Sequence, residues 1–87
     1  MCSTKYLITV SGNNRRSRAL LTGGLIVFAN ALHSGYRKRE RSEEFAFAYL
    51  GNARLALRNV AANIGCKPQS ADSLSFEGAS LTISKAN

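Results

Sequence analysis

"RRSRALLTGGLIVFANA" (residues 15–31) admits three readings, and the choice among them decides the fold. Arginines, an apolar run and then Ala29-Asn30-Ala31 have the layout of an export signal: basic head, apolar stretch, small-residue cleavage site. The uncharged stretch from Ala19 to Tyr36 approaches the length of a membrane span. The same letters also make one core helix with a basic head.

Two features favour the core helix. "KYLITV" (residues 5–10) alternates Tyr6, Ile8 and Val10 with Lys5, Leu7 and Thr9, so a β-branched and aromatic strand precedes the arginines, where an export signal is ordinarily featureless. Thr22, Asn30, His33, Ser34 and three glycines interrupt the uncharged stretch, leaving its apolar part short of the roughly 20 residues a span needs. Leu21, Leu25, Phe28 and Leu32 then recur at steps of four, three and four, one face of a helix. "SGNN" (residues 11–14) breaks the strand, and Asn13 or Asn14 caps the helix by accepting from its free N–H groups. His33 falls in the last turn and Gly35 stops it, so the helix is expected over about 14–34, roughly 30 Å long. The run "LIVF" (residues 25–28) carries a competing strand reading, as short apolar runs do.

Downstream, "GYRKRER" (residues 35–41) reads as a basic connection. Ser42 then caps a second helix, with Glu43 and Glu44 in the first turn, where the dipole favours negative charge. Ala46, Leu50, Ala53, Leu57, Val60 and Ile64 keep a regular helical step until Gly65 and Pro68 end it. If the two helices pair antiparallel, Gly24 faces Ala53 and Leu25–Ile26 face Gly51–Asn52, which assigns Gly23, Gly24 and Gly51 to close helix packing. "LSFEGASLTIS" (residues 74–84) reads as a β-hairpin around "EGAS". The expected architecture is a single α+β domain over residues 1–87, ordered β-α-α-β-β. Two long antiparallel helices pack on a small three-stranded antiparallel sheet in two layers.

The charge distribution points to function. Of a net charge of +7, all the excess lies in the first half. There Lys5, Arg15, Arg16, Arg18, Arg37, Lys38, Arg39 and Arg41 stand against Glu40 alone, whereas four bases and four acids balance from Glu43 onward. Such asymmetry favours a polyanionic partner. Catalysis is poorly supplied: the chain holds one histidine and one aspartate, and lacks metal-ligand spacings and phosphate-loop or nucleophile motifs. Glu43 and Glu44 are adjacent, so on a helix they diverge and cannot flank a substrate. A non-enzymatic protein without metal or cofactor is expected. Cys2 and Cys66 read as free thiols of a reducing, cytoplasmic compartment.

"VSGNNRRSR" (residues 10–18) brings a strand end and a glycine turn to a helix start carrying Arg15, Arg16 and Arg18. Free N–H groups there attract anions, and a bound phosphate offsets the unfavourable meeting of arginines with the dipole. The second basic cluster is Arg37, Lys38, Arg39 and Arg41, beside Tyr36. With both helices long, it is expected at the far end from Arg15, roughly 30 Å away. A nucleic-acid duplex would span that distance, and a head-to-tail homodimer would join the clusters. Self-association also suits 87 residues, a length that buries only about 60–68% of its unfolded surface. Tyr6, Tyr36 and Tyr49 make no aromatic run for stacking single strands. The leading expectation is a small basic module that contacts DNA or RNA phosphates electrostatically through these seven side chains. The alternative is an interaction or inhibitor module that docks on an acidic protein or a nucleic-acid-handling complex. A third is an oligomeric binder of a small phosphorylated ligand at Arg15–Arg18 alone.

Overall fold

The computed structural model describes the backbone of residues 5–29, 33–39 and 41–86. Elements follow in the order β1 (Lys5–Gly12), α1 (Arg15–Ala29), β2 (His33–Lys38), β3 (Ser42–Phe47), α2 (Leu50–Ile64), β4 (Ser73–Phe76) and β5 (Ala79–Ala86). The strands form one five-stranded antiparallel sheet in the order β2-β3-β1-β5-β4. α1 leads from β1 to β2 beyond the intervening β3, a split β-α-β unit, whereas α2 leads from β3 to the edge strand β4, and β5 returns between β4 and β1.

Alternation along the strands sets the layers. Ile8 and Val10 of β1, Phe45 and Phe47 of β3, Leu74 of β4, and Ala79 and Leu81 of β5 are buried together with Leu21 and Leu25 of α1. From α2 the same core receives Ala53, Ala56, Leu57, Val60 and Ala61. Because successive strand residues point to opposite faces, Leu7, Thr9, Ser11, Ser42, Glu44, Ala46, Ser80 and Thr82 form the other face of the sheet. That face is composed mainly of small polar side chains, and the core lies wholly on the helical side.

The α+β class, the strand over residues 5–10, the hairpin and the Gly65 stop agree with expectation. Gly65 closes α2 in the left-handed region (φ 71°), its N–H donating to Ala61 and Ala62. In the hairpin, Glu77 (φ 43°) and Gly78 (φ 85°) make the paired positive-φ turn that suits strand twist. Gly12 (φ 140°) ends β1 so close to this turn that a Cβ there would lie 2.3 Å from the Gly78 carbonyl oxygen.

The middle of the chain departs from expectation. The order is β-α-β-β-α-β-β and the sheet has five strands, because residues 33–47 form a hairpin where a helix end, a loop and a helix start were expected. α1 stops at Ala29, so His33 opens β2 instead of closing a helix. "SEEFAF" is β3, so Ser42 caps nothing and Glu43 and Glu44 do not serve a helix dipole. Phe45 and Phe47 explain why: two buried aromatic rings at a period of two outweigh the capping resemblance. α2 starts at Leu50, with Tyr49 as an N-cap lacking a side-chain bond. Gly24 packs against Val60, not Ala53, with 3.4 Å from its built Cβ to the nearest Val60 methyl. A Cβ on Gly23 or Gly51 would meet nothing within 4 Å, so neither glycine serves packing. Leu21 and Leu25 are core as expected, whereas Cys2, Leu32 and the Phe28 side chain lie outside the described residues.

Candidate phosphate-binding cleft

The phase of α1 is fixed at its N-terminus. Asn14 Oδ1 accepts from the Ser17 N–H at 3.2 Å, the side-chain cap that satisfies one free amide. Ser17 itself is buried, and its hydroxyl donates to the Glu77 carbonyl at 2.8 Å, tying the helix start to the β4–β5 turn. With Ser17, Leu21, Gly24 and Leu25 turned inward, helical geometry puts Arg15, Arg18, Ala19, Thr22, Gly23 and Ile26 along one flank. That flank faces the β2–β3 hairpin.

The hairpin presents its own bases by register. Lys38 is opposite Glu43 and Arg37 is opposite Glu44. Glu43 is two and four residues from the buried Phe45 and Phe47, so Lys38 and Glu43 share the helical side of the sheet, and Arg37 lies on the other side. The Arg39 N–H donates to the Ser42 carbonyl at 2.8 Å across the turn, and its Nε lies 3.4 Å from Glu44 Oε1.

Between helix and hairpin lies an open cleft of about 490 Å³, lined by Arg15, Arg18, Ala19, Thr22, Gly23, Ile26, Lys38, Arg39 and Glu43. Four cations from two elements therefore face one concavity that holds a single carboxylate. The Thr22 hydroxyl donates to Glu43 Oε2, fixing that carboxylate against α1. Arg18 Nε is sealed from water and has no hydrogen-bond partner among the described residues. A buried donor left unpaired costs about 1–3 kcal/mol, more when charged, so the Arg18 guanidinium is held in the cleft wall at a cost. Low-dielectric walls focus the field of the surrounding bases on the same spot.

Of the seven bases expected to act, Arg15, Arg18, Lys38 and Arg39 meet in the cleft. Arg16 is exposed on α1, Arg37 is exposed on the opposite side of β2, and Arg41 is exposed in the β2–β3 turn, all outside the cleft lining. The expected 30 Å separation of the clusters is wrong, because the strand β2 returns the chain to the end of the sheet where α1 begins. One chain supplies both clusters without a head-to-tail dimer. Sequence reasoning missed Ala19, Thr22, Gly23, Ile26 and Glu43 as lining residues. The helical stripe of α1 counted from Arg15 would have found all of them except Glu43.

Elsewhere, Arg54 and Asp72 form a two-point ion pair at 2.8 and 3.3 Å. Cys66 is a free thiol donating to the Ser75 carbonyl at 3.2 Å. Among the described residues no cluster of His, Cys, Asp and Glu suits a metal ion, and no helix is long and apolar enough to cross a membrane. Comparison with protein-family models, curated proteins and solved structures finds no match for this chain.

Proposed function

We propose that this chain is a non-enzymatic module that holds nucleic-acid phosphates, of DNA or RNA, in the cleft between α1 and the β2–β3 hairpin. One observation carries the reading: Arg15, Arg18, Lys38 and Arg39, far apart in sequence, line the same concavity. Arg16, Arg37 and Arg41 extend the positive field around it and steer a polyanion inward. Recognition is electrostatic, as the described residues offer no row of aromatic rings and no helix of base-reading side chains.

The test is a fluorescence-anisotropy titration of a labelled duplex and its single strand from low to physiological salt. Four phosphate contacts give a log–log slope of about −3 to −4 on duplex and somewhat less on single strand. Absence of saturable binding to either at low salt would sink the proposal.

A second reading, docking on an acidic protein surface, draws on a different observation. Leu20 and Ile26 on α1 are 49% and 45% exposed beside the bases, and offer apolar contact that a phosphate does not use. Binding that persists at high salt and fails when Leu20 and Ile26 become Ser would favour it.

A further inference from the structure

We infer that the unit bound in the cleft is a terminal phosphate monoester carrying one sugar and base, not the diester backbone of a duplex. The inference rests on the phosphate-binding reading above and narrows its ligand.

Size favours a small ligand. A concavity of about 490 Å³ falls in the range of small-molecule sites, room for one nucleotide and far too little for a duplex.

Charge favours a monoester. Arg39 is paired with Glu44, so Arg15, Arg18 and Lys38 against Glu43 leave the lining with a formal excess of two positive charges on a small concave surface. A monoester near pH 7 carries about −1.5 to −2 on three terminal oxygens, whereas a backbone diester carries a single negative charge. The monoester matches both the field and the number of donors more closely, and Arg18 can engage it by the planar fork of its guanidinium.

Gly23 points the same way. It sits exposed in the middle of α1, where glycine is unfavourable, yet a Cβ would touch nothing within 4 Å. Packing therefore gives no account of it. Its missing side chain leaves clearance between Ala19 and Ile26 on the cleft wall, an apolar strip against which a flat ring can lie.

The experiment compares twelve-nucleotide oligothymidylate and oligouridylate, labelled at the 3′ end, with 5′-phosphate or 5′-hydroxyl ends, using adenosine 5′-monophosphate and adenosine as competitors. The 5′-phosphorylated strand is expected to bind at least tenfold more tightly. Gly23→Leu, which fills the strip, and Arg18→Met should each abolish the advantage, bringing the two strand ends within about threefold of one another. Gly23→Ala reports whether helix propensity alone matters, and should retain most of the preference. Competition by the monophosphate but not by adenosine supports the monoester, and monophosphate binding without strand binding assigns the site to a free nucleotide. Equal affinity for both strand ends, with the usual salt slope, overturns the inference and leaves the electrostatic reading standing. No binding of either strand or of the monophosphate overturns both.

Discussion

Lys38 stands directly across the β2–β3 ladder from Glu43, on the side of the sheet that carries Phe45 and Phe47, and both residues line the cleft with Arg18. Its sequence neighbour Arg37 is paired with Glu44 on the opposite side. Two adjacent bases with the same charge thus have different access to the cleft. Lys38→Ala should weaken nucleic-acid binding about three- to tenfold and flatten the salt slope by nearly one unit, as loss of one phosphate contact does. Arg37→Ala should stay within about twofold, which anisotropy titrations of both variants at matched salt will show.

Gly12 and Gly23 should respond to alanine with opposite signs. At Gly12 the φ of 140° and a Cβ only 2.3 Å from the Gly78 carbonyl oxygen force the backbone apart. Gly12→Ala is therefore expected to destabilise by about 2 kcal/mol or more, by strain and overpacking together. Gly23→Ala meets nothing and gains helix propensity, so it should stabilise by about 0.5–1 kcal/mol. Urea unfolding of the two variants reads both signs directly.

The Asn14 cap anchors the helix that carries Arg15 and Arg18. Asn14→Ala removes the acceptor of the Ser17 N–H and should lower stability by about 0.5–2 kcal/mol. Asn14→Asp keeps the acceptor and adds a favourable charge at the helix start, so thermal melts should place it at or above the parent protein.

Acid should act on the Arg54–Asp72 pair. The hydrogen bond from Arg54 holds the Asp72 carboxyl below its ordinary value, against a smaller opposing effect of desolvation, and the charge of Arg54 adds to the lowering. A carboxyl whose folded pKa is depressed contributes stability that is complete above its unfolded value and is lost as pH falls through the folded one. The parent protein should therefore outlast Asp72→Asn by a small, constant margin above about pH 5, and the two should converge as pH falls through the lowered folded pKa of Asp72. The pair is exposed, so the margin shrinks with added salt. Melting temperatures across that pH range decide the matter.

Legibility in the sequence followed how strongly one periodicity excluded the other. "KYLITV" alternates without rival, the apolar step from Ala53 to Ile64 runs unbroken into Gly65, and "EGAS" separates two alternating pairs, so β1, most of α2 and the last hairpin were readable. Residues 33–47 were not. Leu32 continues the helical step of Leu21 and Leu25, Ser-Glu-Glu imitates a helix start, and Ala46 falls in phase with Leu50 and Ala53 by coincidence. Only the alternation of Phe45 and Phe47 marked the strand, and it spans a few residues. The site suffered the same loss. Both basic clusters were visible, but their meeting depends on the β2–β3 hairpin pairing with β1, a long-range pairing that no local pattern encodes.

The most direct test of the central claim, that two distant clusters make one anion site, is a double-mutant cycle on nucleic-acid affinity. Arg18→Met and Lys38→Met are combined, with Arg18→Met and Arg41→Met as the reference pair, at one low salt concentration. Shared contact with the same phosphate should couple Arg18 and Lys38 by about 0.5 kcal/mol or more, while Arg18 and Arg41 add within about 0.3 kcal/mol. Simple additivity of Arg18 and Lys38, equal to that of the reference pair, would mean that the clusters act as separate surface charges and that the cleft is not the site.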